Sequence, residues 1–279
     1  MFQKPEKKWT KVLSQPFEKQ SKFLNKICKV NRRDALILNE RYFDGLSFPL
    51  VGEVVELVQK VIAAGEFDPS FRDLILDRLL RVIGIEELYP EDYEDGNECN
   101  GDDDNVIFGE NYHVYTACYD DLDILVNFIN STDGISNLCD LGSGTGRALF
   151  YLAMKVKKEL NYLGLELVDE RVKFTNKISK YFSLDNVRFQ TCDFLEDPQA
   201  FHGYDAYYLY DSVGTENVPH LIGHFKNLID DGQKFYLFFI SGWDEIMLSA
   251  LNELDGLKLV EGNDSHKQEG RVVNIYQTL

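Results

Sequence analysis

The sequence predicts an α/β protein with a doubly wound sheet of seven strands, preceded by an N-terminal helical accessory region. After residue 106, short apolar runs with strand composition alternate with segments whose apolar residues recur at helical spacing. The first apolar run ends in a turn with three alternating glycines that opens a helix. The last two runs are separated by the polar, glycine-containing residues 262–270, which is typical of a hairpin that places an antiparallel strand in a parallel sheet.

Composition divides the chain into three predicted regions. Residues 1–45 are expected to form a basic arm of short helices, and residues 46–105 a helical accessory segment that ends in an acidic loop. In that loop, ten acidic residues between positions 86 and 105 lie among Gly, Asn and a single Pro, without the register of an EF-hand, so no calcium site is expected. Residues 106–279 are predicted to form the sheet domain.

The glycine turn carries most of the functional information. Gly142, Gly144 and Gly146 follow a strand that contains Asp140, and residues 148–160 have the apolar spacing of a helix. A dinucleotide site expects a glycine where this chain has Arg147, and Asp140 would repel a pyrophosphate. S-adenosylmethionine fits better, because it has a sulfonium, an α-ammonium and no phosphates. The pattern D-x-G-x-G-x-G also resembles the first motif of the class I methyltransferases.

Two further acids follow at the spacing that a βαβ unit needs. Glu166 ends the second predicted strand about twenty residues after the last glycine, where it can accept both ribose hydroxyls. Asp193 follows the third strand, residues 187–191, and in methyltransferases an acid at this point accepts from the adenine amino group, with Phe194 beside the ring. Each acid alone could equally be a helix cap or turn residue. All three in order and in register predict the cofactor site.

Chemistry is expected where the fourth strand ends, at Tyr210 and Asp211. This end does not read N-P-P-Y, the motif with which amide and exocyclic-amine methyltransferases hold a planar nitrogen, so methylation of a nucleobase is disfavoured. Tyrosines and a carboxylate could instead orient an amine, stabilise its positive charge and, through Asp211, accept its proton. Alternate tyrosines on a buried strand are often core residues, and that interpretation stays open.

Residues 115–240 resemble the non-SET lysine methyltransferases called disruptor of telomeric silencing, and more distantly the mitochondrial lysine methyltransferases that act on ATP synthase subunit c. The matching motifs are the glycine turn, Gly164-Leu165-Glu166, Asp193-Phe194-Leu195 and the helix at residues 214–232. Tyr115 stands where such enzymes have a tyrosine in the loop that covers the cofactor and the lysine channel. The resemblance implies a class I methyltransferase sheet, S-adenosylmethionine as donor and a lysine acceptor. The chain departs from the silencing family at Thr116-Ala117 and at Asp211-Ser212, so the resemblance does not extend to a histone substrate.

Charge and cysteine content narrow the partners and the compartment. The net charge is −18, although residues 1–33 hold ten Lys and Arg against two Glu. The acidic remainder suits a basic protein substrate and repels nucleic acid, which could be contacted only through the basic arm. No apolar run reaches membrane-spanning length, and five cysteines without paired C-x-x-C spacing argue against a disulfide framework and a zinc site. We therefore expect a cytoplasmic or otherwise reducing intracellular protein.

The primary hypothesis is a protein-lysine N-methyltransferase that uses S-adenosylmethionine. A small-molecule methyltransferase is the alternative, and an aminopropyltransferase is a further one, since residues 204–212 faintly resemble that class. A catalytically silent cofactor-binding module that acts through the basic arm is a third. No metal site is predicted, because His220 and His224 have helical i, i+4 spacing without a third ligand.

Overall fold

A computed structural model divides the chain into two units, residues 1–84 and 85–279. It describes residues 5–28, 42–43, 45–65, 70–82, 117–241, 245–263 and 272–279. The predicted acidic loop at residues 86–105 lies outside the described residues, as does the predicted boundary at residue 106. The three predicted regions therefore stay predictions.

The described part of the first unit consists of helices that pack through aromatic and aliphatic side chains. They are α1 (Pro5–Leu13), α2 (Phe17–Cys28), α3 (Phe48–Ala63) and α4 (Ser70–Leu80). Trp9 of α1 is fully buried, its Nε1 donates to the Tyr42 carbonyl at 2.6 Å, and its ring meets Phe23 of α2 edge-on at 5.2 Å. Val54 and Val61 of α3 are also fully buried. Helix α3 contacts both α1 and α2, so the arm and the accessory segment pack against each other.

The second unit contains the predicted sheet. Its described strands are β1 (Asn137–Leu141), β2 (Asn161–Glu166), β3 (Val187–Thr191), β4 (Ala206–Tyr210), β5 (Tyr236–Ser241), β6 (Leu257–Asn263) and β7 (Val272–Thr278). Their order is β3-β2-β1-β4-β5-β7-β6. The first five are parallel, and β7 lies antiparallel between β5 and β6. The doubly wound sheet of seven strands and the terminal hairpin are therefore confirmed.

Helices connect the parallel strands because a parallel pair needs a crossover. Helices α6 (Arg147–Lys155), α7 (Asp169–Phe182), α8 (Val218–Asp230) and α9 (Glu245–Glu253) follow β1, β2, β4 and β5, and α5 (Tyr119–Ser131) precedes β1. The predicted helix at residues 148–160 ends earlier, at Lys155. Val156 is already extended, with φ −71° and ψ 130°, and the chain must turn there to begin β2 at Asn161 beside Asn137.

Strand alternation sends neighbouring side chains to opposite faces of the sheet. Tyr207 of β4 packs against Phe225 of α8, with ring centroids 5.8 Å apart, in a buried hydrophobic core. On the other face, Phe238 of β5 meets Phe128 of α5 at 5.7 Å. Both faces are thus covered, as a parallel sheet requires. Among the helices that the structure describes, none has the length and apolar character needed to cross a bilayer.

Candidate active site

A cavity opens where β1, β2, β3 and β4 end. It lies at the topological switch point of the sheet, where strands stop being added on one side of β1 and are added on the other side. We call it the strand-end cavity. Eight of the ten predicted site residues line it: Asp140, Gly142, Gly144, Glu166, Asp193, Phe194, Tyr210 and Asp211. Gly146 is not part of its lining, and Tyr115 lies outside the described residues. The fold therefore brings together acids that are 71 positions apart, from Asp140 to Asp211.

The glycine turn is folded against its neighbours so closely that side chains cannot be added. Gly142 has a φ of +87°, and a Cβ there would lie 2.5 Å from the Cβ of Ser212, in the loop after β4. Gly146 has a φ of +74°, and its Cβ would lie 2.7 Å from Cζ of Phe189. Gly142 therefore seats the turn at the cavity wall, whereas Gly146 packs the start of α6 onto β3. The role of Gly146 in this structure is therefore to allow close packing.

Ser143, between the first two glycines, is a site residue that sequence reasoning did not single out. It lines the strand-end cavity, and its Oγ is buried without a hydrogen-bond partner among the described residues. A buried hydroxyl normally finds a partner, so this one is suited to a ligand. Its position inside the glycine turn was the available signal.

Glu166 is held by three donors from the protein. The Gly144 N–H donates to Oε2 at 2.8 Å, while the Val168 N–H and Arg171 Nη1 donate to Oε1 at 3.0 and 3.2 Å. The Glu166 and Arg171 side chains are both only 6% exposed. The acid thus connects the glycine turn to the start of α7. Nothing in the spacing of the motifs indicated Arg171.

Asp140 is a buried carboxyl group, with 2% of its surface exposed. Burial, and secondarily the negative charge of Glu166, raises its pKa well above the usual range for aspartate. Tyr208 pairs in register with Asp140 and also lines the cavity. Burial, with Asp140 next in effect, raises the pKa of Tyr208 well above its ordinary value, so it remains a neutral phenol.

Asp193, the acid after β3, is both a turn residue and part of the cavity lining. Asp193 Oδ1 accepts from the N–H groups of Leu195 at 3.0 Å and Glu196 at 3.4 Å, which is the behaviour of a turn residue. Asp193 and Phe194 nevertheless line the strand-end cavity. Phe194 is 7% exposed and packs edge-on against Phe201 at 6.5 Å. This wall is therefore rigid and carries both a carboxylate and an aromatic ring.

The tyrosines of β4 divide between core and cavity. The Tyr207 hydroxyl donates to the Phe201 carbonyl at 2.7 Å inside the core, whereas Tyr208 and Tyr210 line the cavity. Asp211 follows with a φ of +39°, a left-handed conformation that is uncommon for a residue other than glycine. Such backbone outliers cluster at functional sites, so this one supports a role for Asp211.

Arg147 is the basic residue at the start of α6. It lines the strand-end cavity, its Nη1 donates to the Ala117 carbonyl at 3.1 Å, and its guanidinium lies 5.1 Å from the Tyr119 ring. Sequence reasoning used Arg147 to exclude a dinucleotide and as a point of resemblance to the mitochondrial lysine methyltransferases, but not as a site residue. His220 also lines the cavity, but the described residues contain no cluster of three or more His, Cys, Asp or Glu that could hold a metal ion.

Comparison with known families agrees with this geometry. Residues 133–237 match the family model described as "Methyltransferase domain". Residues 133–237 are therefore assigned to a methyltransferase domain. The matched segment runs from just before β1 into β5, and so includes every described residue of the predicted cofactor site.

Three solved structures illustrate the proteins to which this domain is similar in fold. TrmN from Thermus thermophilus is 16% identical, with 57% of this chain and 48% of that chain covered and a TM-score of 0.45. The putative methyltransferase yhhF from Escherichia coli is 12% identical (57% and 84% covered, TM-score 0.46), and a putative O-methyltransferase from Klebsiella pneumoniae is 10% identical (60% and 82%, TM-score 0.44). The chain thus spans about half the length of the first. None of the curated proteins compared with the sequence matches it.

The residues of the methyltransferase domain fit S-adenosylmethionine as its cofactor. The turn at Gly142 has no room for a side chain, and Ser143 offers a buried hydroxyl without a partner among the described residues. Asp140 and Arg147 supply opposite charges that suit an amino acid with an ammonium and a carboxylate. Glu166 and Asp193 are the acids available to the ribose and the adenine.

We expect the affinity for S-adenosylmethionine to rise with pH as Asp140 ionises. A cationic ligand favours the ionised carboxylate, so binding should lower the pKa of Asp140 and release a proton. The neighbouring titratable groups are Glu166, which raises this pKa, and Tyr208, which stays neutral. Calorimetric titrations between about pH 5 and pH 8, in two buffers of different ionisation enthalpy, would count the protons released. A pH-independent affinity without proton release would contradict the assignment.

Proposed function

We propose that the domain transfers the methyl group of S-adenosylmethionine to the side-chain amine of a lysine in a protein substrate. The observation that carries this proposal is the end of β4. There a carboxylate in a left-handed backbone conformation, Asp211, follows directly on Tyr210 in the cavity wall, with Tyr208 nearby on the same strand. A carboxylate among phenol rings suits a cationic or amine acceptor more than an anionic one.

The strained backbone at Asp211 supports a role for its side chain. A left-handed conformation costs about 1–2 kcal/mol for most residues, although Asp and Asn tolerate it better. Structures retain such strain where the surroundings fix it, often at sites of chemistry. Asp211 lines the cavity, where a group that accepts a proton from a substrate must lie.

The protein has to bind the acceptor amine, orient it and accept its proton. When bound, S-adenosylmethionine supplies a methyl group on its sulfonium, and the sulfur becomes a neutral thioether when that methyl group is transferred. A lysine amine reaches the site protonated at neutral pH, so Asp211 would first hold the ammonium and then take its proton. The rings of Tyr208 and Tyr210 would orient the amine and stabilise the positive charge that nitrogen gains.

The charge of the chain supports a basic protein as substrate. The net charge is −18, and it would be more negative without the ten Lys and Arg of residues 1–33. An acidic surface attracts lysine-rich segments and accelerates their encounter at low ionic strength. The same charge repels nucleic acid.

The test is to label a cell extract with tritiated S-adenosylmethionine and the purified protein, and to identify the labelled species by mass spectrometry. Label on a lysine of a protein supports the proposal. Label in the small-molecule fraction instead would establish the alternative of a small-molecule acceptor. Transfer of a propylamine to a polyamine, tested with decarboxylated cofactor, would identify an aminopropyltransferase, and tight binding without any transfer would identify a silent module.

Replacing Asp211 with asparagine should lower kcat at least about 100-fold, because asparagine cannot accept the amine proton. Asparagine tolerates the left-handed backbone, so the affinity for S-adenosylhomocysteine should change less than about twofold. The exposed Asp185, between α7 and β3, provides the matched control, and Asp185→Asn should leave both constants unchanged. A kcat near that of the wild type in Asp211→Asn would remove this residue from the mechanism.

A further inference from the structure

The carboxylate of Glu166 is almost fully engaged before any ligand binds. An ionised carboxylate has about four acceptor positions, two on each oxygen. Val168 N–H and Arg171 Nη1 occupy those of Oε1, and Gly144 N–H occupies one on Oε2. One position therefore remains, on Oε2, the oxygen that faces the glycine turn. A ribose presents two hydroxyls, and this carboxylate has room for one.

Arg171 is the second of the two donors on Oε1, so it is the residue that leaves the remaining acceptor position on Oε2. It lies in the first turn of α7 and lines the strand-end cavity. Its ion pair with Glu166 has an N···O distance of 3.2 Å, and both side chains are 6% exposed. Buried ion pairs often contribute little net stability, because desolvation offsets their attraction. A role in orienting Glu166 accounts better for the presence of a buried guanidinium at this position.

The same helix carries an ion pair of the opposite character. Lys173 and Asp169 form an i, i+4 pair with side chains that are 64% and 49% exposed. Exposed pairs of this kind contribute little and fix nothing around them. Arg171 and Lys173 are two residues apart on α7, so a change at Lys173 controls for the loss of a cation from this helix without touching Glu166.

We propose that Arg171 is a positioning residue which fixes Oε1 of Glu166, so that the acid receives a single ribose hydroxyl through Oε2. This inference rests on the proposed S-adenosylmethionine site, and it narrows the expectation that Glu166 takes both hydroxyls. The second hydroxyl of the ribose makes no bond to this carboxylate. The two hydroxyls therefore contribute unequally to binding.

The wild-type protein tests the unequal contribution directly. Dissociation constants would be measured by calorimetry for S-adenosylhomocysteine and for its 2′-deoxy and 3′-deoxy analogues. One analogue should bind about tenfold more weakly than the parent, as loss of a hydrogen bond to a charged group implies, and the other within about threefold. Equal losses for both analogues, or no loss for either, would overturn the inference. Failure of S-adenosylhomocysteine itself to bind would instead overturn the cofactor assignment on which the inference rests.

Variants of Arg171 separate positioning from general support of the fold. In Arg171→Met the carboxylate is released, and the two deoxy analogues should bind within about threefold of each other. Lys173→Met should keep the wild-type discrimination. A merely structural role for Arg171 would weaken all three ligands by one factor and leave their ratios unchanged, which contradicts the inference.

Removing one partner of a buried ion pair can prevent folding. For that case Arg171→Lys is the second variant, because it keeps the charge but loses the planar fork of the guanidinium. Its discrimination between the two analogues should fall between those of the wild type and of the methionine variant. Where Arg171→Met does not fold, wild-type discrimination in Arg171→Lys would overturn the role of Arg171.

Discussion

Replacing Asp140 with asparagine is expected to weaken S-adenosylmethionine binding about 100-fold or more, while making the ligand-free protein more stable at neutral pH. The two effects have one cause. Asp140 is 2% exposed, so its ionised form is disfavoured by burial and is favoured only by a cationic ligand. Asparagine keeps the shape of the side chain and removes the charge.

The sign of the stability change follows from the pKa of Asp140. Burial raises this pKa in the folded state above its value in the unfolded chain, so the folded state binds the proton more tightly. Below the unfolded pKa of about 3.9 the carboxyl is protonated in both states and contributes no penalty. As the pH rises from the unfolded pKa to the folded pKa, the unfolded chain loses this proton while the folded state keeps it, so the free energy of unfolding falls, and above the folded pKa the loss is complete. An asparagine at this position has no proton to lose, so the stability advantage of Asp140→Asn should grow with pH.

Denaturant unfolding of Asp140→Asn and wild type at about pH 4 and pH 8, together with calorimetric titration of the cofactor, measures both effects. Asp205 provides a contrast at the opposite ends of β1 and β4. Its Oδ2 accepts from the N–H groups of Ser136 at 2.9 Å and Asn137 at 3.0 Å, so Asp205→Asn should lower stability and leave cofactor affinity unchanged. An Asp140→Asn protein that is less stable than wild type at pH 8 and still binds the cofactor normally would contradict the assignment.

The parts of the fold that depend on local pattern could be predicted from the sequence. The alternation of apolar runs and helical segments predicts the parallel strands, and the polar break before β7 predicts the hairpin. The end of α6 could not be predicted in this way. Apolar spacing continues to residue 160, but the helix ends at Lys155 because β2 must start level with β1. Tertiary geometry here overrides a continuous local pattern.

The candidate site also contains residues that a local pattern predicts and residues that only tertiary structure brings there. The acids at the strand ends could be found by spacing, because each lies in the last part of its own strand or just after it. Tyr208 joins Asp140 only through the pairing of β1 with β4, which no local motif encodes. Arg171 could not be predicted either, because its role depends on which oxygen of Glu166 it contacts in the folded structure. The third glycine of the motif illustrates the converse, since Gly146 matches the pattern but packs against Phe189 away from the cavity lining.

Gly142→Ala should lower the free energy of unfolding by about 2–5 kcal/mol, the sum of a left-handed backbone and an overpacked contact. The φ of +87° is strained for alanine, and the new Cβ would lie 2.5 Å from the Cβ and 2.9 Å from the Oγ of Ser212. The loop after β4 must move to relieve this contact. Since that loop and Asp211 line the cavity, binding of S-adenosylmethionine should be lost together with stability.

Two further variants separate the strain from the clash. Gly203 has a φ of +83° and nothing within 4 Å of an added Cβ, so Gly203→Ala should show the strain alone, about 1–2 kcal/mol by denaturant unfolding. Ser212→Gly removes the two closest atoms, and the Ser212 Cα at 3.5 Å from the new Cβ is an ordinary contact. The double variant Gly142→Ala/Ser212→Gly should therefore recover stability and cofactor binding relative to Gly142→Ala. Strictly additive losses in this double-mutant cycle would show that the two residues do not meet, and the cavity wall would then be built differently.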